Sequence, residues 1–403
     1  MREKIIQFPR TIASSFSALG TESNEYGKAV LSVQNTMITL RDITMVEQSN
    51  FNNVPKTYEA ISRCYGEIQS LATKFTSTIY DELVLYPNVC ILKLNTIDGC
   101  LEAALKIVNK IIDNPESIQE SDTQALQNQM TLIMMEADSQ IENLDILIKN
   151  LKNFEERDLA DIEKNISQIL NYIDEGSAEY KQAKAILEEL KEGIRKDINE
   201  QIAALVGSVA LIILAVIDAV VTIAIACATG GSGTAIALSL GLAGLTVAGS
   251  IVGVGLSSYE LYDLNEQLKI ATSKLSGYED DILEFENWKE SVEQCKNNLV
   301  GIEENLQLIK TSWVGVRDGF ATINENIAKA EGQLEQEEWQ KLKAVLEECQ
   351  KISTDTKVTI EGLIFSESTV SKAKIEIGMT PEQVQEAIER AERVSFKEYM
   401  LAI

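Results

Sequence analysis

From Leu261 onward an apolar residue recurs every third or fourth position. The series runs Leu261, Leu264, Leu268, Ala271, Leu275, Tyr278, Ile282, Phe285 and, after a skipped step at Trp288, Val292, Cys295, Leu299 and Ile302. It continues through Leu306, Ile309, Trp313, Val316, Phe320, Ile323 and Ile327 to Leu334. Alternating steps of three and four put these residues on one face of a helix. A helix from 261 to 334 would be about 110 Å long at 1.5 Å per residue. No globular domain built from 403 residues holds such a rod, so the spacing predicts an all-α, elongated bundle of long helices. A second stripe keeps the same rhythm: Leu159, Ile162, Ile166, Ile169, Ile173, Tyr180, Ala183, Leu187, Leu190, Ile194 and Ile198, with Gly176 in one slot. The two stripes are expected to pack antiparallel. No proline falls between Pro115 and Pro381, as long helices require when an interior proline costs roughly 3 kcal/mol.

Between the stripes the composition changes abruptly. Gln201–Tyr259 holds a single charged residue, Asp218. Two apolar stretches, 202–228 and 234–256, flank Thr229-Gly-Gly-Ser-Gly233, and each exceeds the roughly 20 residues that cross a bilayer core as a helix. The predicted organisation is an N-terminal part of the bundle (1–200), an apolar head at one tip (201–259) and closing helices (260–403). The membrane-inserting candidates are Ile202, Leu205, Val209, Ile212, Val216, Val220, Ile223 and Ile225 in the first stretch. In the second they are Ile236, Leu238, Leu240, Leu242, Leu245, Val247, Ile251, Val252 and Leu256, with Gly230, Gly231, Ser232 and Gly233 as the head turn.

Within the head the small and polar residues are ordered. Ser239, Ala243, Thr246, Ser250, Gly253 and Ser257 follow at steps of four and three, and Ser208, Ala215, Asp218, Thr222 and Thr229 form a looser line. Such faces pack helices in membranes, and Gly249-Ser-Ile-Val-Gly253 is a GxxxG match. They also suit the lumen of a pore, lined by Ser208, Asp218, Thr222, Ser239, Thr246, Ser250 and Ser257. A carboxylate at mid-bilayer costs about 2.5–3.5 kcal/mol and usually faces water, and a ring of Asp218 side chains would select cations. Around the glycines a period of two competes with the helix: Val221, Ile223 and Ile225 alternate with small residues, as do Ile236, Leu238 and Leu240. That pattern reads as a β-hairpin. The expectation is a β-tongue or compact head in solution that becomes a helical hairpin in lipid, where backbone groups must be satisfied internally.

Elsewhere the signals are shorter. Helices are expected over about Tyr26–Glu47, Lys56–Leu85 and Pro87–Ile112, with Pro115 as a first helical residue. Leu342, Leu346, Cys349 and Ile352 continue a helix that Ser353–Thr356 can interrupt. Thr380-Pro-Glu-Gln383 opens a last helix to about Met400.

Composition excludes several classes of function. With no histidine, histidine-based nucleophiles and histidine metal sites are excluded. A net charge of −26 argues against a nucleic-acid partner. There is no GxxxxGK[ST] or HExxH motif, so no enzyme, cofactor or metal is expected. The six cysteines show no CxxC pair and read as buried thiols. Met1–Pro9 lacks the apolar core of a Sec-type signal peptide.

Long heptad helices enclosing a two-span apolar head resemble the α-helical pore-forming toxins: cytolysin A, the haemolysin BL and non-haemolytic enterotoxin components, and the xenorhabdolysin type. Locally, Leu306-Gln-Leu-Ile-Lys-Thr-Ser-Trp313 through Phe320-Ala-Thr-Ile323 is similar to the aromatic-containing stretch of the haemolysin BL group. The resemblance implies a secreted soluble protein whose partners are a target-cell lipid membrane, further copies of itself and partner toxin subunits. It implies insertion of the head and oligomerisation into a pore. The rival reading is a resident two-span membrane protein with helical receptor or scaffold domains, for which Lys191, Arg195 and Lys196 on one side and Lys269 and Lys274 on the other are weak flanking charges.

Overall fold

A computed structural model describes residues 8–9, 11–42, 45, 55–170, 181, 185, 244–247, 250–253, 277–330, 334–362, 369–371, 383, 386, 390 and 392–402. Among these the chain is all-α apart from two short ladders. The helices are α1 (Thr11–Asp42), α2 (Pro55–Thr78), α3 (Tyr80–Asp113), α4 (Glu120–Phe154), α5 (Ala160–Leu170), α6 (Gly277–Lys329), α7 (Gln336–Glu361) and α8 (Phe396–Leu401). Strands β1 (Gly244–Val247) and β2 (Ser250–Gly253) form one antiparallel ladder, and β3 (Thr369–Ser371) and β4 (Arg393–Ser395) another.

The described residues divide into two compact units, one of 1–27, 84–149 and 302–364, the other of 28–83, 150–301 and 365–403. In the first, Ile12, Phe16 and Leu19 of α1 are buried together with Leu94 and Leu101 of α3, Met130 and Ile133 of α4, and Trp339, Leu342 and Leu346 of α7. α6 supplies Ile302, Leu306, Ile309, Trp313, Val316, Phe320, Ile323 and Ile327, each fully buried at 0 % exposure. That set matches the sequence stripe from Ile302 to Ile327 residue for residue; its first part, Leu261 to Leu275, and the earlier stripe beyond Ile169, save residues 181 and 185, lie outside the described residues. Antiparallel α4 and α6 are joined by Arg317 to Asp138 (3.2 Å) and by Lys310 to Asp145 (2.5 Å).

In the second unit the core comprises Val30, Val33 and Met37 of α1, Ile61, Ile68, Leu71 and Phe75 of α2, Ile162, Ile166 and Ile169 of α5, and Trp288, Val292, Cys295 and Leu299 of α6. Trp288 is thus part of the stripe rather than a skipped step, and its ring centroid lies 5.8 Å from that of Tyr65. Between α4 and α5 the apolar spacing lengthens: Leu151, Phe154, Leu159 and Ile162 are all buried, and the step from Phe154 to Leu159 is five. An α-helix cannot keep that step on one face. The backbone answers with one turn of π-helix over Glu155–Leu159.

Several boundaries differ from the sequence expectation. α1 begins at Thr11, well before Tyr26, because Ile12, Phe16 and Leu19 already form a buried face. The α2–α3 break falls at Ile79, and Pro87 sits inside α3. Pro87, the eighth residue of α3, removes one helical hydrogen bond and crowds the Leu83 carbonyl, yet the helix runs through it, and Asp81 and Glu82 in the first turn of α3 favour an N-terminus there. Ser353–Thr356 does not interrupt α7. These small residues suit a close helix contact: Thr356 Oγ1 donates to the Phe16 carbonyl (2.8 Å), and a Cβ on Gly20 would lie 3.5 Å from it. The expected last helix to Met400 is broken by β4, which pairs with β3 through Val370↔Val394. Pro115 does open a helical segment, the 3-10 turn Pro115–Ser117.

Candidate functional site

Of the apolar stretch, the described residues are the ladder of β1 and β2. Its register pairs Gly244 with Gly253, Leu245 with Val252, Thr246 with Ile251 and Val247 with Ser250. Thr246, Val247, Ile251 and Val252 are β-branched, and such residues favour the extended backbone. The sequence places a hairpin around Gly230–Gly233, with strands over 221–225 and 236–240; those residues lie outside the described ones. The described pairing lies further on, inside the second apolar stretch, with Ala248 and Gly249 between its strands.

The ladder reorders the predicted faces. On a helix Thr246 and Ser250 are neighbours at a step of four. In the ladder Thr246 is opposite Ile251 and Ser250 is opposite Val247, so the two occupy register positions of opposite parity. Leu245, Val247, Ser250 and Val252 share one parity; Gly244, Thr246, Ile251 and Gly253 share the other. The remaining inserting candidates, the turn glycines and the pore-lining candidates Ser208, Asp218, Thr222, Ser239 and Ser257 lie outside the described residues. Among the described residues no helix is long and apolar enough to cross a membrane, and no group of acidic or cysteine side chains is placed to hold a metal ion.

A close helix seam was not anticipated. Gly315 and Gly319 of α6 face α1: a Cβ on Gly315 would overlap Ser15 Oγ, and one on Gly319 would overlap Ile12 Cγ1. The absent side chains let the two backbones approach. Gly315-Val-Arg-Asp-Gly319 is a GxxxG spacing, and this signal was available in the sequence. One turn further along, Ser312 Oγ donates to Glu22 (2.7 Å), and in the other unit Asn298 Nδ2 donates to Thr36 Oγ1 (3.0 Å).

A second unanticipated contact set involves α8. Ser395 caps it: its Oγ accepts from the Glu398 N–H (3.2 Å), and Glu398 Oε2 accepts from the Ser395 N–H (3.0 Å). Phe396, Tyr399 and Met400 are buried. The Phe396 ring is 4.7 Å from Tyr80, Lys397 pairs with Asp81 (2.6 Å), and the Arg41 guanidinium stands 4.1 Å over the Tyr399 ring.

Five thiols (Cys64, Cys90, Cys100, Cys295 and Cys349) are free and buried, in line with the sequence reading. Burial pushes those of Cys64, Cys90 and Cys349 up to about 12 and raises Cys295 further. None is poised as a nucleophile.

No protein-family model and no curated protein matches the sequence. Solved structures do. The HblL1 toxin component of Bacillus cereus superposes with a TM-score of 0.59 at 14 % identity, covering 87 % of this chain and 96 % of that one. Soluble SmhA of the tripartite α-pore-forming toxin Smh from Serratia marcescens gives 0.58 at 14 % identity, covering 90 % and 97 %. Soluble SmhB of the same toxin gives 0.52 at 14 % identity, covering 96 % and 99 %. At this identity the likeness establishes a shared fold, the long-helix bundle of α-pore-forming toxin components, over nearly the whole of each chain.

Proposed function

We propose that the chain is the membrane-inserting component of an α-pore-forming toxin. The observation that carries this reading is a conjunction: the fold of toxin components together with a stretch, Gln201–Tyr259, holding one charge. A buried core has no use for so long an uncharged segment, and its two halves are each of bilayer-crossing length. In this reading residues 201–259 are the head and the helices on either side are the tail. The released protein meets a target membrane, inserts 202–256 as a hairpin and assembles with further copies or partner subunits into a pore. The β1–β2 ladder is then the solution form of part of the head. Conversion to helix restores internal hydrogen bonding where no water is present, and it returns Thr246 and Ser250 to one face. Asp218, with Ser208, Thr222, Ser239 and Ser257, would line the lumen.

Dye release from liposomes and lysis of erythrocytes test the reading, with the protein alone and mixed with products of neighbouring genes. Release in at least one combination is expected; none in any would overturn it. In planar bilayers, Asp218→Asn should shift the reversal potential toward lower cation selectivity, and an unchanged value would remove Asp218 from the lumen. Fractionation separates the rival resident-membrane reading: a toxin component purifies without detergent, while a resident protein stays in the membrane pellet.

A further inference from the structure

We propose that α8 is a releasable clasp, fastening the end of α1 to the α2–α3 joint, and that its detachment precedes membrane insertion. The proposal rests on the pore-forming reading for its last step and on geometry for the rest.

α8 has six residues, too few to persist as a free helix. It exists because it is docked, with Phe396 and Met400 each 1 % exposed and Tyr399 8 %. Its polar contacts reach two separate helices. Lys397 Nζ is 2.6 Å from Asp81 in the first turn of α3, and Arg41 near the end of α1 stacks on Tyr399 and donates to the Ala402 carbonyl (2.5 Å). The preceding strand β4 is held to β3 by a three-residue ladder, which is marginal by itself. An element of this kind has two states, docked and folded or released and unfolded.

What it docks on is a joint. At Ile79 the helical hydrogen bonds run nearly unbroken: Ile79 N–H donates to Phe75 (2.9 Å), and Leu83 N–H to Ile79 (3.1 Å). The interruption is confined to one residue, with helical bonds on both sides. The second irregularity of the same unit, the π turn, begins directly after Phe154. A chain of rings joins the two: Phe154 to Phe75 (5.9 Å), Phe75 to Tyr80 (6.5 Å) and Tyr80 to Phe396 (4.7 Å). α8 therefore closes a path linking these two irregular places in the unit's described helices. An apolar phase that solvates Phe396, Tyr399 and Met400 competes directly with this docking and frees the joint.

The test uses the full chain carrying Asp81→Cys and Lys397→Cys in a Cys227→Ala background, with Cys227→Ala alone as the reference. The other native thiols are buried and held protonated, so labels select the new pair. Spin-label distances are measured in buffer, in detergent micelles and on phosphatidylcholine–cholesterol liposomes. Leakage is measured with the pair bridged by a reducible bis-maleimide. Expected are a separation that grows by about a helix diameter, 10 Å, in micelles and on liposomes, and leakage reduced about tenfold by the bridge and recovered on reduction. Leakage unaffected by the bridge overturns the proposal, as does a distance that stays at its buffer value in both micelles and liposomes. If the reference protein leaks no membrane, either alone or mixed with products of neighbouring genes, the pore reading fails, and the micelle distance still decides whether α8 releases.

Discussion

At the scale of single residues, the seam between α1 and α6 depends on what two positions lack. At Gly319 an added methyl meets Ile12 at its Cγ1, Cδ1 and Cβ, on a stiff β-branched side chain. At Gly315 it meets chiefly Ser15 Oγ, which can rotate away. Gly319→Ala should therefore destabilise the fold by about 1–3 kcal/mol, and Gly315→Ala by clearly less; urea midpoints of the two variants measure the difference. The thiols make a pH prediction. Cys64, Cys90 and Cys349 hold their protons to about 12 when folded, against an ordinary value of 9.0, because burial disfavours the thiolate. Between those values the folded chain binds more protons than the unfolded one, so stability must fall as pH rises. The urea midpoint should drop from pH 8.5 to 11, and a thiol reagent at pH 8 should react with these residues only after denaturation.

At the scale of elements, the π turn has a compositional cause that can be removed. The step of five between buried Phe154 and Leu159 is one residue longer than a helix tolerates on one face. Deleting exposed Glu156 restores a step of four. Stability should then stay within about 0.5 kcal/mol of wild type, while a loss of several kcal/mol would mean that the turn itself is required. The same logic explains what the sequence made legible. The stripe from Val292 to Ile327 predicted the buried face of α6 because periodicity reports directly on which side a helix buries. Boundaries were less readable. Pro87 and Ser353–Thr356 look like breaks locally, yet packing against neighbouring helices overrides both. The seam and the docked α8 depend on contacts between residues some 300 positions apart in sequence, and no local pattern encodes such a pairing. For the head, two periods coexist in one stretch: the described ladder occupies 244–253, while the strands expected over 221–225 and 236–240 lie outside the described residues.

At the scale of the whole molecule, charge sets the conditions for assembly. With 62 acidic against 36 basic residues, copies of the chain repel one another and an anionic bilayer repels each of them. The ion pairs that join helices, such as Lys93 to Glu136 and Lys110 to Asp122 (both 2.7 Å), leave that excess untouched. Raising the ionic strength from 0.01 to 0.15 M shortens the screening length from about 30 to about 8 Å. Leakage of neutral liposomes should therefore speed up with salt over that range. A fall would point to basic docking, the opposite of what this composition supports.

The β1–β2 ladder has a consequence for how variation in this segment can be read. Within each strand it sorts residues alternately, and the phase reverses across Ala248 and Gly249, so that Leu245 and Val247 share a parity with Ser250 and Val252. The proposed helical lining sorts the same residues by steps of three and four. A substitution map scored by the stability of the protein before insertion would oscillate with a period of 2 within each strand and shift phase at 248–249, and one scored by conductance would follow a period near 3.6. Few positions can satisfy both rhythms except small ones, which fit either side of either structure. If the proposed helical form is adopted in lipid, the frequent glycine, alanine and serine here are the residue types that both geometries accept.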